Sequence, residues 1–143
     1  MGYLILACFS VFLLFASGVT QRDSAVTAIT QADSSQRQQA AEAIRYLNAI
    51  NDYLYDHPQT DGVISNTLLD TQPPSGVAHY LSQGRVFVYQ PSKRGLLSAL
   101  MDQSRHSALI GTVVSRRLKD TQGTDMQVTV PDVIPDGDLV YLN

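Results

Sequence analysis

The stretch Gln38-Gln-Ala-Ala-Glu-Ala-Ile-Arg-Tyr-Leu-Asn-Ala-Ile-Asn-Asp-Tyr-Leu54 decides the fold of this chain, because its apolar residues recur at helical spacing. Steps of three and four residues separate the members of the apolar face, which are Ala40, Ala43, Ile44, Leu47, Ile50 and Leu54. Ser35, with Gln38 three residues later, fits a capping box at the start of a helix. Pro58 cannot donate to the helical ladder and ends it. The pattern predicts an amphipathic helix from about Gln36 to Tyr55, which either starts there or is fused to the segment that precedes it.

The half of the chain that follows this helix predicts strands and one short helix. A connector rich in turn residues runs from Pro58 to Gly76. Val77–Leu81 and Arg85–Gln90 are strand-like runs around the hairpin signal Ser82-Gln83-Gly84. Further expected elements are a short helix through Leu96, Leu97, Leu100 and Met101 with an N-cap at Ser92, and strands over 107–118 with a bulge at Gly111, 126–130 and 138–142. The whole predicts an α+β fold with a small, mainly antiparallel sheet.

Ahead of the helix, the run Tyr3–Val19 carries no charge, and Arg22 is the first charged residue. A helix that spans a bilayer needs about 20 apolar residues, with roughly 17 as the lower limit. The run therefore predicts an N-terminal transmembrane helix that contacts lipid through residues 3–19. The side chains predicted to form this membrane anchor are Tyr3, Leu4, Ile5, Leu6, Phe9, Val11, Phe12, Leu13, Leu14, Phe15 and Val19.

Two processing signals are alternatives to an uncleaved anchor. Ala16-Ser17-Gly18 fits a small-x-small cleavage site, which would release a secreted module that starts at Val19. Leu6-Ala7-Cys8 has the form of a lipoprotein signal, although only a few apolar residues precede it. A prepilin would carry Glu where this chain has Ala7, so the pilin signature is absent.

Three segments are predicted from this reading. Residues 1–20 form the membrane anchor, and residues 21–57 form a helical stalk and the amphipathic helix. Residues 58–143 form a small α+β domain that is continuous with the helix over 36–57. A long N-terminal helix followed by a small sheet is a pilin-like layout. A very short tail before the anchor favours an inner-membrane protein with one span and a periplasmic C-terminal domain.

Composition and motifs exclude several classes of function. The net charge of −3 argues against nucleic-acid binding. The three histidines lack the spacing of a metal pair, Cys8 is the only cysteine, and Glu42 is the only glutamate. No nucleophile is paired with a base along the sequence. The chain is therefore predicted to be no enzyme and to bind no cofactor, metal, nucleic acid or small molecule.

Charge is unevenly distributed along the second half. Seven basic residues and one acid lie between Arg85 and Lys119, whereas the tail carries Asp125, Asp132, Asp136 and Asp138. Such asymmetry predicts either complementary docking faces or ordinary solvated charge.

Three segments carry a resemblance to a known family. They are the helix over 38–54, the strand Arg85-Val-Phe-Val-Tyr-Gln-Pro91 and the ending Val130-Pro-Asp-Val-Ile-Pro-Asp-Gly-Asp-Leu-Val-Tyr-Leu-Asn143. In this order, after an apolar N-terminus, they resemble the small PilM proteins of type IVB (thin) pilus operons, such as those of conjugative plasmids. The large actin-like protein of the same name in type IVA systems is a different class, so ATP binding is not expected.

The resemblance implies a membrane-anchored, non-enzymatic component of type IVB pilus assembly that acts through protein–protein contacts of a periplasmic domain. Its expected partners are other pilus-assembly proteins in the inner membrane or periplasm. The alternatives are a minor-pilin-like subunit of the fibre and the secreted module described above. One route to a partner is pairing with a free strand edge, for which the candidate strands contain Val86, Val88, Ala108 and Ile110.

Overall fold

The computed structural model describes the backbone of residues 2–143, and the side chains of these residues except 4, 6, 9 and 12–28. The chain divides into two compact units, of which the first ends at Ser35 and the second is Gln36–Asn143. The segment boundaries predicted at residues 20 and 57 stay predictions.

The first helix, α1, runs without interruption from Gly2 to Asp56. No Gly or Pro occurs between Gly18 and Pro58, so nothing in this sequence breaks the backbone ladder. Of the two alternatives for its start, the helix is the one fused to the preceding segment, and the capping box predicted at Ser35 is wrong because Ser35 and Gln38 lie in the interior of α1. The predicted end is confirmed, since α1 stops two residues before Pro58.

The prediction of a single-pass inner-membrane protein is contradicted. Within the part of the chain that the structure describes, no helix has the length and apolar character needed to cross a membrane. The apolar run Tyr3–Val19 has 17 residues, which is only the lower limit for a span. The same helix then continues through the polar residues Thr20, Gln21, Arg22 and Asp23. The predicted transmembrane helix is thus unsupported, and contact of residues 3–19 with lipid is not shown.

The second unit contains a six-stranded sheet, in the order β1-β2-β6-β3-β4-β5, in which every pair is antiparallel. The elements are a 3-10 turn at Asn66–Leu68, β1 Ala78–Ser82, β2 Arg85–Gln90, α2 Leu96–Gln103, β3 Ile110–Val114, β4 Arg117–Lys119, β5 Asp125–Thr129 and β6 Leu139–Leu142. The α+β class and the antiparallel sheet with one short helix are confirmed. The C-terminal strand β6 lies in the middle of the sheet, between β2 and β3.

Three local predictions need correction. The strand expected over 107–118 is a hairpin, because Ser115 and Arg116 both adopt positive φ (51° and 62°) and turn the chain between β3 and β4. Gly111 is not a bulge but a point of close approach, where an added Cβ would lie 2.5 Å from the Lys119 carbonyl oxygen. The helix α2 is preceded by Gly95 at φ 82°, so Ser92 is not its N-cap.

Both faces of the sheet are covered by apolar residues. On one face, α1 packs Ala40, Ala43, Tyr46, Leu47 and Ile50 against strand residues of β1, β2, β3 and β6, and α2 adds to the same cluster. The opposite face forms a second cluster from Phe87, Val113, Leu118, Val130, Ile134, Val140 and Leu142. Because β2 is buried on both faces, Val86, Phe87 and Val88 are all buried in succession. The face of α1 that points away from the sheet remains available for a site.

Candidate partner-binding site

A cleft of about 390 Å³ lies along the C-terminal end of α1. One wall is α1 itself, with Arg45, Asp52, Tyr53 and Asp56. The other wall is the segment that leaves the 3-10 turn, Leu68–Thr71. Leu68 is 57% exposed, although Leu69 beside it is buried in the core. The cleft therefore combines charged residues with an exposed aliphatic side chain.

Stacked rings form the end of the helical wall. The Tyr53 and His57 rings are nearly parallel, at 14°, with centroids 4.6 Å apart. The His57 Nδ1 atom also lies 3.3 Å from the Tyr53 carbonyl oxygen, and the His57 backbone N–H donates to that oxygen at 2.9 Å. These contacts fix the last turn of α1 at the mouth of the cleft.

The opposite wall is held in place by a buried polar network. The Ile64 backbone N–H donates to His79 Nε2 at 2.9 Å, so Nε2 must be the unprotonated ring nitrogen. His79 then carries its proton on Nδ1 and donates to the Tyr46 hydroxyl at 2.6 Å. Tyr46 in turn donates to the Asn66 side-chain oxygen at 3.1 Å. One side chain from α1 and one from β1 thus fix the segment that becomes the second wall.

Burial sets the protonation states in this network. His79 is only 4% exposed, and its burial lowers the pKa of the imidazole below the ordinary value. Burial, together with a smaller effect of the Tyr89 side chain, raises the pKa of Tyr46 to about 12. Both groups are therefore neutral near neutral pH, as the direction of the hydrogen bonds requires.

Some residues of the basic segment form ion pairs with residues of the acidic tail. Arg116 forms an ion pair with Asp136 at 2.7 Å, and Arg117 forms one with Asp125 at 3.0 Å. Basic and acidic segments that are separated in sequence therefore meet across the β3–β4 hairpin. For these residues, the asymmetry reflects internal pairing and does not mark two separate docking faces.

The residues proposed for edge pairing do not lie on a free edge. Val86 and Val88 are in β2 and Ile110 is in β3, which are interior strands, and Ala108 precedes β3. The edge strand β1 is partly covered, because Gly62 and Leu81 exchange two backbone hydrogen bonds. The other edge, β5, is irregular, since Gln127 adopts φ 59° and its N–H bonds to the Asp125 side chain. A bulged, twisted edge is poorly suited to accept another strand.

The residues predicted to form an anchor all belong to α1. The side chains of Tyr3, Ile5 and Val11 are 92%, 66% and 54% exposed. The side chains of the other predicted anchor residues, Leu4, Leu6, Phe9, Phe12, Leu13, Leu14, Phe15 and Val19, lie outside the description. The role of these residues is not tested.

The sequence predicts that the tyrosines of the helix, Tyr46, Tyr53 and Tyr55, cover the sheet with their rings buried and their hydroxyl groups in water. The burial of Tyr46 is confirmed, whereas Tyr55 is 88% exposed. Sequence reasoning missed the role of Tyr46 and His79 in positioning the cleft wall. His79 alternates with buried Val77 and Leu81 along β1, which places it on the core face. Only the fold shows that the polar atoms of Tyr46 and His79 meet, because the two residues lie 33 residues apart in sequence.

Both a family profile and a solved structure are similar to this chain. The PilM family profile matches residues 10–142. A crystal structure of a PilM protein from Escherichia coli B7A is 44% identical and superposes with a TM-score of 0.66, over 77% of this chain and 92% of the other. None of the curated proteins is significantly similar to the chain. A profile match over nearly the whole length, together with this structural similarity, shows that the chain belongs to the PilM family.

Proposed function

We propose that this protein is a non-enzymatic component of type IVB pilus assembly, and that it acts through protein–protein contacts of the unit Gln36–Asn143. The observation that carries the proposal is the PilM match over residues 10–142. The cleft at the end of α1 supports contact with a protein, because it is open and mixes charged with aliphatic residues. A specific role in conjugation stays a prediction.

Deletion of the gene in its bacterial host tests this function. We expect the deletion strain to lose surface pili, as seen by electron microscopy, while the pilin subunit itself is still synthesised. Re-expression of the full chain should restore the pili. A deletion strain with a normal number of pili would contradict the proposal.

A minor-pilin-like subunit of the fibre is the second candidate. The observation in its favour is the uninterrupted helix α1, whose C-terminal part packs on an antiparallel sheet, since this is the pilin layout. Ala7, where a pilin would have Glu, weighs against it. Sheared and purified pili should contain the protein if it is a subunit, and should lack it if it acts only in assembly. Sequencing of the N-terminus in the same experiment would reveal a start at Val19, which the secreted alternative requires.

A further inference from the structure

Residues 58–76, which connect α1 to β1 and are called the strap below, are attached to the rest of the unit in two different ways. The first part is attached to the β1–β2 hairpin. Gly62 and Leu81 exchange two backbone hydrogen bonds, and the Thr60 carbonyl accepts from the Gly84 N–H at 2.9 Å. These bonds join backbone groups, which do not titrate.

The second part of the strap, residues 63–76, is held by side chains of α1 and β1. Within the part of the chain that the structure describes, its hydrogen bonds to α1 or to the sheet number two. In the first, the Ile64 N–H donates to His79. In the second, the Asn66 side chain accepts from the Tyr46 hydroxyl. Since Tyr46 and His79 are themselves hydrogen-bonded, one pair of side chains makes both attachments.

Protonation of His79 is incompatible with this attachment. The Ile64 N–H lies 2.9 Å from Nε2, so a proton there would place two donors against each other, while Nδ1 already donates to Tyr46. The neighbouring side chains offer no compensating charge. Tyr46 on α1 is a neutral phenol, Asn66 of the strap is an amide, and Val88, opposite His79 on β2, is apolar. Burial accounts for the lowered pKa of His79, and no charged group among the described residues adds to it.

The strap is the part of this network that can move. His79 lies within β1, in which every residue is paired with β2, and Tyr46 is buried in the core. The second part of the strap, by contrast, has two buried side chains and the two hydrogen bonds described above. A segment with so few buried contacts opens at a lower free energy than the fold as a whole.

We propose that His79 is a pH-sensitive latch on the strap: when its imidazole is protonated, residues 63–76 detach from α1 and β1 while the sheet stays folded. The first part of the strap remains on the hairpin through its backbone hydrogen bonds. Because Leu68–Thr71 form one wall of the cleft, opening of the strap removes the cleft. The latch concerns the conformation of the chain and does not depend on the proposed function.

Hydrogen–deuterium exchange of the full-length protein, followed by mass spectrometry, tests the proposal. The His79 pKa is lower when the strap is closed than when it is open, so closure is favoured above about pH 6.5 and weakens below it. After correction for the intrinsic pH dependence of exchange, the open population of residues 63–76 should rise about tenfold for each pH unit below about 6.5, down to the folded pKa.

The sheet provides the internal reference in the same experiment. Peptides from β2 and β6 should keep their protection over the pH range in which the strap opens. The proposal is overturned if the exchange of residues 63–76 does not respond to pH. It is also overturned if β2 and β6 lose protection to the same extent, because the whole unit would then unfold.

His79→Gln is the matched variant, because its amide oxygen can accept from the Ile64 N–H and does not titrate. The open population of residues 63–76 in this variant should not change with pH. His106→Gln, at an exposed position, should respond as the wild type does. A response that persists in His79→Gln would rule out the latch.

Tyr46→Phe tests the attachment without changing the titrating group. The variant loses the hydroxyl that bonds to Asn66 and keeps the aromatic ring in the core. The open population of residues 63–76 should rise about tenfold at every pH, as expected for the loss of one hydrogen bond, with β2 still protected. Exchange equal to that of the wild type would show that the Tyr46–His79 pair does not hold the strap, and would overturn the proposal whether or not His79→Gln folds.

Discussion

His79 connects α1 to the cleft wall through two hydrogen bonds, to Tyr46 and to the backbone of Ile64. Protonation of His79 at Nε2 would break its hydrogen bond with Ile64, because two N–H donors would then face each other. Burial also lowers the pKa of His79. A His pKa that is lower in the folded than in the unfolded protein contributes stability above the unfolded value, near 6.5. That contribution is lost as the pH falls from about 6.5 towards the folded pKa. We expect the urea midpoint of unfolding to drop between about pH 7 and about pH 5.

Two variants show whether His79 causes this pH dependence. His79→Gln removes the titrating group and should flatten the change in urea midpoint, even if it lowers the midpoint at every pH. His106→Gln, at an exposed position, should keep the wild-type dependence. An unchanged slope in His79→Gln would show that other groups control it.

Gly111 permits the close approach of β3 and β4. An added Cβ would lie 2.5 Å from the Lys119 carbonyl oxygen and 2.9 Å from the Leu118 Cγ atom, and the first of these belongs to backbone that cannot rotate away. Gly111→Ala should therefore lower the free energy of unfolding by about 1–3 kcal/mol, as for other overpacked sites. Gly2→Ala is the control, since its Cβ meets nothing within 4 Å. Urea titration of both variants measures the difference. Equal stabilities would show that the close approach at Gly111 does not exclude a Cβ atom.

At the scale of elements, the turn between β3 and β4 depends on Arg116 and not on glycine. Arg116 holds its left-handed conformation (φ 62°) while its side chain donates to Asp136 and to the Pro131 carbonyl. Its own carbonyl accepts from the Val130 N–H at 3.0 Å. These contacts join the turn to the segment that leads into β6.

A pair of glycine variants separates backbone strain from side-chain anchoring at this turn. Ser115→Gly should leave stability unchanged or raise it, because glycine adopts positive φ without steric cost. Arg116→Gly also removes strain but loses the contacts to Asp136 and Pro131, so its urea midpoint should be lower than that of Ser115→Gly. If the two variants unfold at the same midpoint, the Arg116 side chain does not hold the turn.

The end of α1 should be more stable without its carboxylates. Replacing Asp56 by Asn removes a negative charge from the helix C-terminus and should raise the free energy of unfolding by about 0.3–1 kcal/mol at low salt. Asp132→Asn, in an exposed loop, should have no such effect. Thermal unfolding of both variants at low and high salt is the measurement. A loss of stability in Asp56→Asn would mean that its carboxylate makes a stabilising contact in the free protein.

The elements with a clear local pattern could be predicted from sequence. Helical spacing over 38–54, the Gln83-Gly84 hairpin turn and the run Arg85–Gln90 each appear close to their expected bounds. The hairpin at Ser115-Arg116 could not, because neither residue type signals positive φ and long-range contacts to Asp136 and Pro131 hold it. The cleft forms because the hydrogen bonds of Tyr46 and His79 hold the 66–71 segment beside α1. No local sequence pattern predicts these long-range contacts.

For the whole molecule, all residues of the two described apolar clusters belong to the unit Gln36–Asn143. A fragment of residues 34–143 should therefore fold, with the near-ultraviolet circular dichroism of the full chain. In the fragment, Ser35 would sit at the helix N-terminus with Gln38 three residues on, so Ser35→Ala should cost about 1 kcal/mol through loss of a cap. In the full chain Ser35 lies inside α1, and the same substitution should not destabilise it. An unfolded fragment would show that the first unit is needed for folding.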